Sequence, residues 1–152
     1  MYISCYIDLR ISGIGLDLDK ISNALKIKPN HSHKKGDKLF DRITSKEIEY
    51  TEDYWIYGVK TDEQQPVDLE IERFALRFTP YAAFFRKLSE ESTITCWVSI
   101  FPEAEQCNIH LTRKTVEALH DIGATFDLSF AYLQTFYDGA YDINREGNAV
   151  HV

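Results

Sequence analysis

Along the first dozen residues apolar and polar side chains alternate. Ile3, Cys5, Ile7, Leu9 and Ile11 fall on one side, and Tyr2, Ser4, Tyr6, Asp8 and Arg10 on the other. A repeat of two is that of a half-buried strand. Beyond Gly13-Ile14-Gly15 the period lengthens: Leu18, Ile21, Ala24 and Leu25 make a helical stripe, Asp17 stands where an N-cap is needed, and Pro29 blocks continuation. Residues 30–53 carry few periodic apolar positions. They predict a long connection with one short edge strand around Ile48-Glu49-Tyr50. Tyr54-Trp55-Ile56-Tyr57-Gly58-Val59, aromatic and branched, predicts the second main strand.

The longest apolar stripe follows, with Val67, Ile71, Phe74, Ala75, Phe78, Ala82, Phe85 and Leu88 at helical spacing. Pro80 removes a backbone donor inside it, with Thr79 placed to cap, so a kink or two consecutive helices is expected there. Ile94, Cys96, Val98 and Ile100 then alternate with Thr95, Trp97, Ser99 and Phe101 as a third strand. Thr112 caps a helix carrying Val116, Leu119 and Ile122, Gly123 closes it, and Phe126, Leu128, Phe130 and Tyr132 make a fourth strand. The expected fold is α+β: an antiparallel or mixed sheet of about four main strands with helices on one face, ferredoxin-like in topology. One domain is expected over 1–133, with a polar tail over 134–152 that packs on it or extends from it.

Composition narrows the class. A chain of 152 residues, 44% hydrophobic with few Gly and Pro, supports one core and argues against disorder. No run reaches the roughly 20 apolar residues of a membrane span, and the start lacks the basic stretch of a secretory signal, so a soluble cytoplasmic protein without a membrane role is expected. The formal charge of −7 repels phosphates at long range. Nucleic acid is thus an unlikely partner, and a basic protein a favoured one. Cys5, Cys96 and Cys107 form no CxxC or paired framework, and all three are expected to be reduced, with Cys5 and Cys96 in the core.

Two landmarks are specific: the helix ending Leu25-Lys26-Ile27-Lys28-Pro29, and the turn Ser32-His33-Lys34-Lys35-Gly36-Asp37 that follows it. With Tyr54-Trp55, the Pro80 helix, Leu111-Thr112 and Phe126-Asp127-Leu128 in that order, the chain from about Cys5 to about Tyr132 resembles the bacterial family known as domain of unknown function 4279. The resemblance implies a small α+β domain. It supplies no activity and no catalytic residues.

Two surfaces offer chemistry. Around Gly36 crowd His31, His33, Lys34, Lys35 and Asp37, a turn with donors and cations suited to an anion. It lacks the phosphate-loop pattern and the ligand spacing of a metal site, so no metal or cofactor is assigned. His110, His120 and His151 stand beside no Ser or Cys nucleophile. The second surface is the sheet face away from the core, where alternation groups Tyr6, Asp8, Arg10, Trp55, Tyr57, Trp97, Ser99, Asp127 and Ser129. Aromatics with arginine are common interface anchors, and Arg10, Trp55 and Trp97 are the expected contacts for a protein partner or a second copy of the chain. Asp8 and Asp127 are weighed as an acid/base pair, but no spacing demands it, and no catalytic residues are assigned. The favoured function is a noncatalytic protein-interaction domain, immunity-protein-like in its concrete form. The competing reading is a small-molecule or anion-binding domain built from the His31–Asp37 turn and the sheet face.

Overall fold

The structure is a computed structural model that describes residues 2–42, 44–61, 64–102, 108–130, 141–143 and 149–151, with backbone alone for 2, 3 and the last two segments. The alternating first segment forms β1 (Tyr2–Gly13), followed by α1 (Leu18–Leu25). Asp17 caps α1 as its position predicts, its Oδ1 accepting from the Lys20 amide at 3.0 Å. The 30–53 connection holds more structure than expected. β2 (His31–His33) pairs with the sheet, and β3 (Lys38–Asp41) and β4 (Lys46–Glu49) form a separate hairpin. Strands this short show too few alternations for a period to register. β5 (Asp53–Lys60) is the second main strand.

Proline divides the long apolar stripe into α2 (Val67–Leu76), a 3-10 turn (Thr79–Tyr81) and α3 (Ala82–Leu88). Thr79 does not cap the following turn. Its hydroxyl donates to the Leu76 carbonyl at 2.9 Å and so satisfies an acceptor at the end of α2. β6 (Thr93–Pro102), α4 (Arg113–Asp121) and β7 (Thr125–Phe130) follow, and the backbone pair β8 (Tyr141–Ile143) and β9 (Ala149–His151) stands as its own ladder. Thr112 accepts from the Thr115 amide at the start of α4, and Gly123 takes the positive φ of 65° just beyond its end.

The main sheet has the order β2-β5-β1-β6-β7. β1 is antiparallel to both neighbours, and β7 runs parallel to β6, so the sheet is mixed and the fold α+β. The ferredoxin-like expectation is not confirmed. β5 and β6 flank β1 as a split β-α-β unit, but β6 and β7 are adjacent and the second unit is unsplit.

One face of this sheet holds the core. Cys5, Ile7, Leu9 and Ile11 of β1 lie with Ile94, Cys96, Val98 and Ile100 of β6 beneath Ile21 and Leu25 of α1, Ile71, Phe74 and Phe78 of the long stripe, Phe85 of α3 and Leu119 of α4. Phe74 and Phe78 meet edge to face at 5.2 Å, and Phe78 and Phe85 at 6.0 Å. Cys5 and Cys96 are free and buried as expected, and burial pushes the Cys96 thiol up to about 12. Cys107, Tyr132 and most of the 134–152 tail lie outside the described residues. No helix among the described residues is long and apolar enough to cross a membrane.

Candidate functional site

Register decides which side chains share the second face. β1 pairs Asp8 with Gly58 and Trp97, Tyr6 with Lys60 and Ser99, and Arg10 with Ile56 and Thr95. β6 in turn pairs Trp97 with Asp127 and Ser99 with Ser129. Because partners in register point the same way, Tyr6, Asp8, Arg10, Trp97, Ser99, Asp127 and Ser129 stand together, as alternation predicts.

Trp55 and Tyr57 do not join them. Trp55 pairs with Ile11 and Tyr57 with Leu9, which places both on the helix-covered face. Trp55 is fully buried there, and its Nε1 donates to the Ser22 hydroxyl of α1 at 2.9 Å. The Tyr57 ring lies parallel to Phe74, and its hydroxyl accepts from Arg77 at 2.6 Å. An aromatic run such as Tyr54-Trp55-Ile56-Tyr57 is apolar at every position, so its sequence cannot say which parity faces inward.

At the centre of this second face, where Tyr6, Asp8 and Ser99 are buried and Trp97 is half-buried, Arg10 reaches two neighbours. Its Nη2 donates to Asp8 Oδ2 at 2.9 Å, and its guanidinium lies 4.4 Å from the centre of the Trp97 ring. Trp97 Nε1 donates to Ser99 Oγ at 2.9 Å, which fixes the ring under the cation. The buried Nε of Arg10 has no hydrogen-bond partner among the described residues. Asp8 can lie flat only because position 58 is glycine: a Cβ there would stand 1.8 Å from Asp8 Oδ1. Gly58 also donates its amide to Asn30 Oδ1 at 2.6 Å, tying the loop before β2 to β5.

Between these strands opens a cavity of about 340 Å³ lined by Tyr6, Asp8, Arg10, His31, Gly58 and Lys60 among others. The Lys60 ammonium is 5.9 Å from the centre of the Tyr6 ring. Neither His31 nor Lys60 stands out in the sequence as part of this face: the pairing of β2 with β5 that brings His31 there spans a connection without a readable period, and the β1–β5 register that sets Lys60 beside Tyr6 follows a run apolar at both parities. Asp127 does not pair with Asp8. Trp97 stands between them in register, two strand spacings or about 10 Å apart, so the two carboxylates form no acid/base couple.

The His31–Asp37 turn is organised around a carboxylate. Asp53, at the start of β5, is nearly buried and accepts from the Leu16 amide at 2.8 Å, the Lys35 amide at 2.8 Å and Lys34 Nζ at 3.0 Å. Lys34 Nζ also donates to the Leu16 carbonyl at 2.7 Å, and the Lys34 amide donates to Asp37 Oδ2 at 2.8 Å. The Lys35 amide, aided by Lys34 and Leu16 and opposed by burial, holds the Asp53 carboxyl down from 3.8 to about 2. His33 stacks on Tyr50 at 4.3 Å. The donors that would bind an external anion, the Lys34 and Lys35 amides and the Lys34 ammonium, therefore face the protein's own carboxylates. No group of three or more His, Cys, Asp or Glu suited to a metal occurs among the described residues.

The chain belongs to the family described as domain of unknown function (DUF4279), whose model matches residues 3–133. The comparisons with curated proteins and with solved structures give no match.

Proposed function

We propose that this chain is a noncatalytic interaction domain that receives a protein partner on the sheet face opposite the helices, where Trp97 and Arg10 keep part of their surface exposed, with Trp97 as apolar anchor and Arg10 as its polar companion. The observation that carries this reading is the half-buried Trp97 under the Arg10 guanidinium, in the middle of a sheet whose opposite face is already filled by core. Tryptophan and arginine are the side chains most often found to dominate interface energy, and truncating such an anchor typically costs about 2 kcal/mol or more of binding. The chain's charge of −7 favours a basic partner by long-range attraction. An immunity-type role, neutralising a basic toxin, is the concrete form of this reading, and a second copy of the chain is the simplest alternative occupant.

The test uses the whole chain as bait in its native host, beside Trp97→Ala, followed by purification and direct affinity measurement of any protein enriched by the first and lost by the second. Partner affinity should fall at least thirtyfold in Trp97→Ala while its thermal midpoint changes little. An identified partner that binds both proteins equally would refute Trp97 as the anchor. Sedimentation of the isolated protein separates self-association from capture of another chain.

A further inference from the structure

We infer that the edge of β7 is an interface between two copies of this chain, in which β7 pairs antiparallel with β7 of a second copy about a two-fold axis at Leu128. This goes beyond the preceding reading, since it uses the edge of the sheet rather than its face.

β7 ends the five-stranded sheet, and among the described residues it pairs with β6 alone. Alternate residues of such a strand direct N–H and C=O away from the sheet and offer a template for a further strand. Short or heavily charged edges discourage such pairing, but β7 spans six residues with one charge, Asp127. Opposite Cys96, Val98 and Ile100 it sets Phe126, Leu128 and Phe130 on the helix-covered side. The cover runs out toward the edge, where Leu128 is 37% and Phe130 47% exposed. α4 adds the exposed Val116. Lys114 of α4 reaches Glu72 of α2, and two positions on is nearly the opposite side of a helix, so Val116 faces away from α2. Because α2 packs on β1 and α4 on β7, that direction is the free edge.

The strand's own sequence selects the second copy. A two-fold axis normal to the sheet keeps the faces of both copies aligned, so only residues of like parity can pair. Centring it on Leu128 sets Leu128 against itself, Phe126 against the second copy's Phe130, and Asp127 against the second copy's Ser129. All three apolar residues are then paired, and the charge faces a hydroxyl; centring on Asp127 would oppose two carboxylates. Six residues at about 3.3 Å make an edge of roughly 20 Å, and with the flank of α4 beside it the pairing covers on the order of 1,000 Å² in total, the low end of specific interfaces. Each copy carries a charge of −7, so long-range repulsion opposes the pairing and salt should strengthen it.

The experiment is sedimentation equilibrium of the whole chain at low and high salt, on the wild type, Leu128→Lys, Leu128→Glu, an equimolar mixture of these two, and Trp97→Ala. The wild type should dimerise with a dissociation constant on the order of 10 μM, as small interfaces do, and more tightly at the higher salt. Leu128→Lys and Leu128→Glu should each weaken the dimer about tenfold or more, because each sets like charges opposite at the axis, and their mixture should restore it as a heterodimer. Trp97→Ala should dimerise as the wild type does. A wild type that stays monomeric throughout the micromolar range overturns the inference, as does a dimer undiminished in Leu128→Lys or a mixture no more dimeric than its components. A dimer lost in Trp97→Ala instead overturns it by placing self-association on the sheet face. If the Leu128 variants do not fold, hydrogen exchange on the wild type decides: the β7 amides that point away from β6 should slow as concentration rises through the dimer midpoint, and exchange independent of concentration overturns the inference. A partner bound through Trp97 by a chain that is otherwise monomeric overturns this inference alone, and a β7 dimer without such a partner overturns the partner reading alone.

Discussion

Trp55 and Trp97 lie in strands that flank β1 on opposite sides, in sequence runs of similar character, and the fold gives them different surroundings. Trp55 is fully buried beneath α1, with its ring nitrogen bonded to a helix residue 33 positions away. Trp97 is half-buried, bonds through its ring nitrogen to Ser99 two residues on, and is covered by an arginine that is itself partly exposed. The same contrast holds for two carboxylates. Asp53 has three donors and joins the loop after β1, the His31–Asp37 turn and β5, whereas the Asp8–Arg10 pair leaves a buried guanidinium nitrogen unpartnered among the described residues. Buried polar groups are normally satisfied, so the fully bonded Asp53 set is architecture, whereas Arg10 keeps part of its side chain exposed beside Trp97, where a partner can reach it.

Substitutions can break this comparison at either end. The largest effect belongs to Trp55→Ala, which should cost about 3–5 kcal/mol in denaturant melts, as aromatic truncations in cores do, and leave Ser22 without its donor. A cost under about 1 kcal/mol would place Trp55 outside the core. Asp53→Ala comes next at on the order of 3 kcal/mol, because two amides and an ammonium lose one acceptor together.

The pH dependence of the same residue sharpens the point. The folded-state carboxyl titrates at about 2, below its ordinary 3.8, so its contribution is complete above about pH 4 and fades as the pH falls toward 2. The stability gap between wild type and Asp53→Asn should therefore be widest near neutrality and shrink in acid; a gap that stays constant from pH 6 to pH 2 would show that the ionised form is not what the turn holds.

At Trp97 the ordering reverses, with binding lost more than stability. Trp97→Ala should reduce partner affinity by about 2 kcal/mol or more while costing the fold less than about 1.5 kcal/mol. Should it unfold the protein instead, Trp97 belongs with Trp55. Gly58→Ala is the mildest change in size, at about 1–2 kcal/mol, since the added methyl must push the Asp8 carboxylate aside. Its readout is the denaturant midpoint, and an unchanged midpoint would show that Asp8 does not need the space.

Much of this arrangement was legible in the chain. β1 and β6 alternate cleanly, and their parity alone placed Asp8, Arg10 and Trp97 on one face and Cys5, Ile7, Cys96 and Val98 on the other. Helix ends were equally readable, because Asp17 and Thr112 do locally what their chemistry allows. β5 was not, since its aromatic run is apolar at both parities and only the pairing of Ile11 with Trp55 fixes which side turns inward. At the Gly36 turn the residues were legible and their partner was not. Its cations and amides suggest an anion, and the anion is Asp53, 18 residues after Lys35, where a long connection hides the contact from any local motif.

The central claim is that the sheet face carrying Arg10 and Trp97, rather than the His31–Asp37 turn, is the binding surface. The measurement that tests it most directly is a residue-resolved NMR titration with the protein partner captured by the whole chain, following backbone amides and the tryptophan ring N–H signals. The account predicts saturable shifts at Asp8, Arg10, Gly58 and the Trp97 ring N–H, with the Lys34, Lys35 and Gly36 amides and the Trp55 ring N–H unmoved. Saturable shifts confined to the Lys34–Asp37 amides would contradict it and return the site to the turn.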